Sequence, residues 1–461
     1  MESERKINEA DDSISMESIV IDNDGIVEKL KNNIAKKLLY DSPLPASCCI
    51  FRVPHQVRRQ NVQAYEPDIV SIGPYHHGRC GDQFRLMENV KGWYLQRLLS
   101  HANLTLETLI KGVMDLDKPA RNCYAEPLDH LNKIDFVEMM VLDGCFLIEL
   151  FRKGLSILEQ DENDPDDTDD PVFSVSCMLG YLQHDILLLE NQLPWFVLER
   201  LYNITAVKNT TSEGNAIFLA DLVEHFFRQF IGGDGTGFRE ILHPSPNILH
   251  ILDLMRTLIV VPIENSAIEN SVYQQNEAQR LIKRQRLPNV TTLSEAGIKF
   301  QKSSEMDIKF EKGLLTIPPL EIHELTGPLF RNLIAFEQCY DYDLMMTSYA
   351  VLMDNLIDTS KDIDLLCEKG ILTNWLSPED AAQFFNHLHS DTLVIRFYYG
   401  GLCDAVNQHY NTNWNKWMEK LRREYFGTPW AIISLVAAFI LLVLTMLQTV
   451  YTIHQYYHPP E

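Results

Sequence analysis

The string Tyr75-His76-His77-Gly78 concentrates the most versatile side chains of the chain at the closest spacing. Imidazole titrates near neutral pH and ligates metals, so paired histidines raise acid–base transfer and metal binding. Neighbouring residues on a regular helix or strand point in different directions, so both rings reach one ion only from a loop. Gly73, Pro74 and Gly78 supply such a loop. No HExxH pattern and no distant Cys/His set completes a metal site. A turn whose histidines cap backbone groups accounts for the same string. Arg52, Arg58 and Arg59 lie just upstream and form a basic cluster in an acidic chain. The cluster suits a phosphate or an acidic peptide, or it pairs with the chain's own surplus carboxylates. Arg52, Arg58, His76 and His77 are the candidate site residues.

The other candidates are weaker. His387, His389 and Asp391 are close in sequence, but residues two apart on a helix do not share a face. Glu190 with Asn191, and Glu337 with Gln338, sit in apolar surroundings. Buried carboxylates there are either tuned acids or members of hydrogen-bonded packing networks, and the second is the commoner outcome. No GxSxG elbow, GxxxxGK[ST] loop or GxGxxG turn occurs, and the run Gly232–Gly237 misses both glycine spacings. The acidic run 159–170 lacks the mid-loop glycine and the downstream glutamate of a calcium loop and reads as solvated. No catalytic, cofactor-binding or metal-binding residue is therefore assigned, and no cofactor is expected. A non-catalytic protein is favoured over an enzyme built around Tyr75–Gly78.

The elements that would position these residues are mostly helical. Ile26, Leu30, Ile34 and Leu38 recur every four residues, an amphipathic helix with Asp24 as N-cap and Pro43 and Pro45 beyond its end. The spacing predicts helices over 87–100 and 134–151, with Val137, Met140, Val141, Cys145, Ile148 and Phe151 near one face. Residues 175–201 read as a strongly apolar helical region interrupted at Pro194, with Leu187, Leu188 and Leu189 in the core. From Ile298 to Ile322 the period changes to two, which predicts two or three short strands around Gly313. Helix resumes over 332–356 and 381–388, and 391–420 reads as one long helix broken near Gly400 and Gly401. The expected fold is mainly α-helical with a small β element. Its parts are an acidic N-terminal region (1–47), a globular helical body (48–426) and a C-terminal segment.

That last segment, Trp430–Val450, carries no charged side chain and is long enough as a helix to cross roughly 30 Å of hydrocarbon. It predicts one transmembrane helix at 430–450 and a short tail at 451–461. Lys416, Lys420, Arg422 and Arg423 precede it and no Lys or Arg follows, so the positive-inside rule places the body on the cytosolic side of a single-pass membrane protein. The N-terminus has no basic start or apolar core of a secretory signal, and Glu2 rules out N-myristoylation. The nine cysteines are unpaired in spacing, as in a reducing compartment. If the body were lumenal instead, Asn103, Asn203, Asn209 and Asn289 would head glycosylation acceptors. The formal charge of −24 repels phosphate backbones, so nucleic acid is not an expected partner.

Several long strings carry a family resemblance. RVPHQVRRQNVQAYEPDIVSIGPYHHG (52–78) and MENVK (87–91) resemble the opening signature of the plant-specific domain of unknown function 247 family, the uncharacterised protein family 0481 group. DILLLENQLPWFVL (185–198) resembles its central motif, and SEAGIKF, LTIPPLEI and FRNLIAFEQC its later blocks. The C-terminal segment resembles its anchor. The resemblance implies a mostly helical body with one C-terminal span and no established activity, cofactor or catalytic residue. Because some members are tied to reproductive self-recognition, it also implies a membrane-anchored recognition or signalling protein whose partners are other proteins.

Overall fold

In a computed structural model, the structure describes residues 23–40, 42–78, 83–158, 170–205, 218–231, 247–269, 286–303, 307–411 and 429–457. The acidic run at 159–169, the glycine-rich run at 232–237, Asn209 and the basic flank at 416–423 lie outside the described residues. The chain divides into two units, Met1–Ala46 and Ser47–Glu461. Within the first, a helix spans Asn23–Ala35 and leaves Ile26, Val27, Leu30 and Ile34 exposed.

The second unit is organised around one long helix, Lys133–Leu158. Phe136, Met140, Cys145, Phe146, Leu147, Ile148, Leu150 and Phe151 are all buried along it. It is apolar on more than one face because helices pack on several sides of it, among them Arg85–Ala102, Leu106–Met114, Trp195–Ile204 and Leu219–Ile231. Asn103 closes the first of these in the left-handed conformation, and the hydroxyl of Thr105 caps the second. A second apolar cluster lies under Met345–Leu356, Ser360–Glu368, Pro378–Leu388 and Gly400–Asn411. Ser360–Glu368 starts with a capping box in which Thr359 and Asp362 bond each other's backbone.

The β element is small. Strand β1 (Lys299–Lys302) pairs in parallel with β3 (Leu314–Ile317), which pairs antiparallel with β2 (Lys309–Glu311). Lys312 and Gly313 join β2 to β3 with φ of 49° and 84°, the two positive values a tight hairpin turn needs. Strands β4 (Leu320–Ile322) and β5 (Leu372–Asn374) form a separate parallel pair.

Three expectations change. The apolar region 175–201 is not one broken helix: helices at Met178–Ile186 and Trp195–Ile204 flank an irregular stretch in which Leu187, Leu188 and Leu189 are buried. Residues 391–399 are not helical, because Asp391 takes a φ of 62° and helix begins only at Gly400.

The third change concerns the C-terminus. A helix does form at Pro429–Tyr457, and its described side chains are exposed. Among the described residues, however, no helix is long and apolar enough to cross a membrane. The transmembrane helix expected at 430–450 is thereby corrected to an exposed apolar helix.

Candidate functional site

The irregular stretch Leu187–Pro194 explains where most of the candidate chemistry goes. Burying three leucines there gives about 1.5–3 kcal/mol each, but a non-helical buried backbone leaves its N–H and C=O groups without ladder partners. Gln192, Asn332 and Tyr124 meet part of that need, at the Leu188 carbonyl, the Leu189 N–H and the Gln192 carbonyl, and the polar side chains of the stretch reach outward to other segments. Asn191 accepts from the Ile72 N–H at 2.7 Å and donates to the carbonyls of Val70 and Asp185. Gln192 donates to the carbonyls of Ile186 and Leu188 and accepts from the Leu252 N–H. The motif thus stitches itself to the segment 68–76.

Glu190, 2% exposed, gathers the candidate residues. Arg52 Nη1 donates to its Oε2 at 2.7 Å, Arg58 Nη2 donates to Oε1, and the Val53 N–H donates to Oε1 at 2.8 Å. His76 Nε2 stands 3.7 Å from Oε2. Arg52 also bonds Glu126 at 2.9 Å and the Tyr75 carbonyl at 3.2 Å, with its guanidinium 4.2 Å over the Tyr75 ring. Burial disfavours the Arg52 cation, yet Glu126 and Glu190 outweigh it and hold its pKa above the ordinary value. Arg59 is spent separately, on exposed Asp391 at 2.9 Å. Three of the four candidates, Arg52, Arg58 and His76, therefore converge, while His77 makes no contact with Glu190. What they converge on is a buried carboxylate rather than an opening.

A second hub lies one turn away in sequence. Asp185, fully buried, accepts backbone N–H bonds from Asp68, Ile69 and Val70, each at 2.8 Å, and its Oδ1 lies 2.8 Å from His184 Nδ1. Lys91, 1% exposed, is bound by Asp143 and Glu88 at 2.7 Å and by the Ser71 carbonyl at 2.6 Å. The Gly73 N–H donates to the other Asp143 oxygen at 2.8 Å. Every segment of the 68–76 loop is thus tied to a buried side chain from a helix or from the Leu187–Pro194 stretch.

Cavities open among the described residues of the unit. One, about 900 Å³, has Asp68, His184, Gln63, Arg331, Gln383 and His387 among its walls. A smaller one, about 240 Å³, lies between Trp93, Arg97, Glu149 and Arg152. Arg52, Arg58, His76 and His77 line neither. His387 faces the larger cavity, His389 lies 3.9 Å from Asp354, and Asp391 holds Arg59, so those three do not form one site.

A family model described as a plant protein of unknown function, DUF247, matches residues 50–444. The chain belongs to the DUF247 family. The UPF0481 protein At3g47200 of Arabidopsis thaliana is 31% identical over 443 residues, covering 91% of this chain and 89% of its own. The putative UPF0481 protein At3g02645, also of Arabidopsis thaliana, is 23% identical over 494 residues, covering 87% and 89%. No solved structure matches.

In this DUF247 chain the acceptor asparagines differ in their surroundings. Asn103 is exposed at a helix end. Asn203 is exposed, but the Thr205 of its triplet is fully buried, with its hydroxyl donating to the Leu201 carbonyl. The Asn289 side chain caps Val290–Glu295 by accepting from the Thr292 N–H, and Thr291 donates to Asp362. Glu337, the other singled-out carboxylate, accepts from Arg256, from the N–H groups of Met346 and Thr347, and from the Thr347 hydroxyl. It fixes the break between Thr326–Cys339 and Met345–Leu356. Burial raises its pKa, opposed by Arg256 and those hydrogen bonds.

Sequence reasoning passed over Asp68, His184 and Asp185. The available signal was weak: Asp185 opens the string 185–198 and His184 just precedes it, but nothing local ties Asp68 to them across 117 residues.

Proposed function

We propose that this DUF247 protein is a non-catalytic recognition module that binds other proteins through the open cavity of about 900 Å³. One observation carries the reading: Arg52, Arg58 and His76 are gathered on the buried Glu190 carboxylate, away from the cavity, which is walled by hydrogen-bonding side chains. Gln60, Asn61, Gln63, Gln83 and Gln383 offer both donors and acceptors there. That lining suits a polar peptide segment better than a compact apolar ligand, whose pockets are mostly hydrophobic. The frame behind it is tied down by Asn332, which accepts from the Leu189 N–H and donates to the Ala64 carbonyl. Pre-organisation of this kind lowers the ordering cost of binding. Among the described residues all eight cysteines are free thiols, which favours a reducing, cytosol-like setting for the body.

The test is site-specific photo-crosslinking of the full chain in plant cells, with the crosslinker at Gln63 or Gln383 and, as control, at exposed Glu107. A discrete protein adduct at the cavity positions and none at the control is the expected result. Absence of a cavity-specific adduct, or turnover of a small molecule that depends on cavity residues, overturns the reading.

A further inference from the structure

We propose that Asp68, His184 and Asp185 form a binding site for one divalent transition-metal ion at the wall of the large cavity. One ligand atom from each residue lies within 4.8 Å of the others: His184 Nδ1 is 2.8 Å from Asp185 Oδ1 and 3.6 Å from Asp68 Oδ2. Ligands bound at about 2.0–2.1 Å around a tetrahedral ion stand roughly 3.3 Å apart. The Asp68 separation already fits. The shorter one has to lengthen by about 0.5 Å for both atoms to reach one ion.

The site is built rather than fortuitous. Asp185 cannot swing away, because three backbone N–H groups hold it, one of them from Asp68 itself. Such outer partners are what orient metal ligands. His184 is 7% exposed and locked between the two carboxylates, whereas the Asp68 side chain is half exposed toward the cavity. The cavity therefore leaves room for one or more waters or an incoming ligand in the remaining coordination positions. Two carboxylates and an imidazole favour zinc or manganese over calcium, which takes six to eight oxygens.

The test strips the full-length chain with a chelator and titrates it with Zn²⁺ alone, then with Co²⁺ read by visible absorption. One equivalent of tight uptake is expected, with the intense cobalt bands of a four-coordinate site. Asp68→Ala, a change at a half-exposed side chain, and His184→Gln should each weaken uptake at least tenfold, while His387→Ala on the same cavity should not. The metal-free melting temperature of the Asp68→Ala variant should match that of the parent, so that its loss of metal is not a loss of fold. No stoichiometric uptake by the parent, or uptake that Asp68→Ala leaves unchanged, overturns the proposal.

Discussion

Arg52 and Glu190 are 138 residues apart in the chain and 2.7 Å apart in the fold. Arg58 meets the same carboxylate, so one buried glutamate is shared by two guanidinium groups and a backbone N–H. The pair joins the first family block to the central one. Removing one partner of a buried ion pair costs about 3–5 kcal/mol, because the other charge stays buried. Glu190→Gln should fall in that range by urea unfolding. Arg59→Ala, which breaks only the exposed pair with Asp391, should cost at most about 1 kcal/mol. Equal costs would show that the Glu190 hub does not organise the loop.

Gly73 and Gly78 bracket the Tyr75–His77 string, and both have positive φ, 72° and 69°. Their surroundings separate them. A Cβ at Gly73 would stand 2.6 Å from the Gln192 carbonyl oxygen, a backbone atom that cannot step aside, whereas a Cβ at Gly78 meets nothing within 4 Å. Gly78→Ala should therefore cost only the strain of the left-handed region, about 1 kcal/mol. Gly73→Ala adds a clash that pushes apart the 68–76 loop and the Leu187–Pro194 stretch, and should cost more than about 3 kcal/mol. Comparable unfolding midpoints for the two variants would contradict this placement.

His250 gives the fold a pH dependence whose direction is fixed. It is fully buried, takes the Asp253 N–H on Nδ1 and so donates from Nε2 to the Cys49 carbonyl. Burial pushes its pKa down to about 4, against the pull of Asp253 and the Cys49 carbonyl. The unfolded chain, near 6.5, binds the proton more readily. The stabilisation is therefore complete above pH 6.5 and is lost as pH falls from 6.5 toward 4. It amounts to roughly 3 kcal/mol by linkage. His250→Phe should flatten the fall in melting temperature between pH 6.5 and 4. A parallel shift of the whole profile would locate the dependence elsewhere.

Periodicity made the helical body and the β2–β3 hairpin legible, because both depend on local pattern and on turn residues such as Gly313. The stretch Leu187–Pro194 was not, because three successive leucines in an apolar run satisfy a helix and a buried irregular segment equally well. What decides between them is the polar content: Glu190, Asn191 and Gln192 can satisfy buried backbone only if that backbone is not helical. Their partners, from Val53 to Leu252, are distant in sequence. Asp391 escaped for a local reason, since aspartate tolerates a left-handed conformation and Arg59 rewards it. The apolarity of the C-terminal segment was plain in the sequence, yet among the described residues no helix is long and apolar enough to cross a membrane.

Lys91 and Asp143 offer the sharpest separation between a structural pair and two independent residues. Lys91 neutralises Asp143 at 2.7 Å while reaching Glu88 and the Ser71 carbonyl, and Asp143 uses its second oxygen on the Gly73 N–H. Lys91→Met leaves that aspartate buried without its cation, and should cost about 3–5 kcal/mol. Asp143→Asn keeps an acceptor for Gly73 and leaves Lys91 paired with Glu88 and the Ser71 carbonyl, so its cost should be smaller. The double variant strands no charge. Its destabilisation should fall short of the sum of the single ones by about 2 kcal/mol or more, the coupling a double-mutant cycle isolates. Additive costs would mean that the two side chains act on the Ser71–Gly73 segment separately, through their backbone bonds, and that their mutual attraction contributes little to holding the loop.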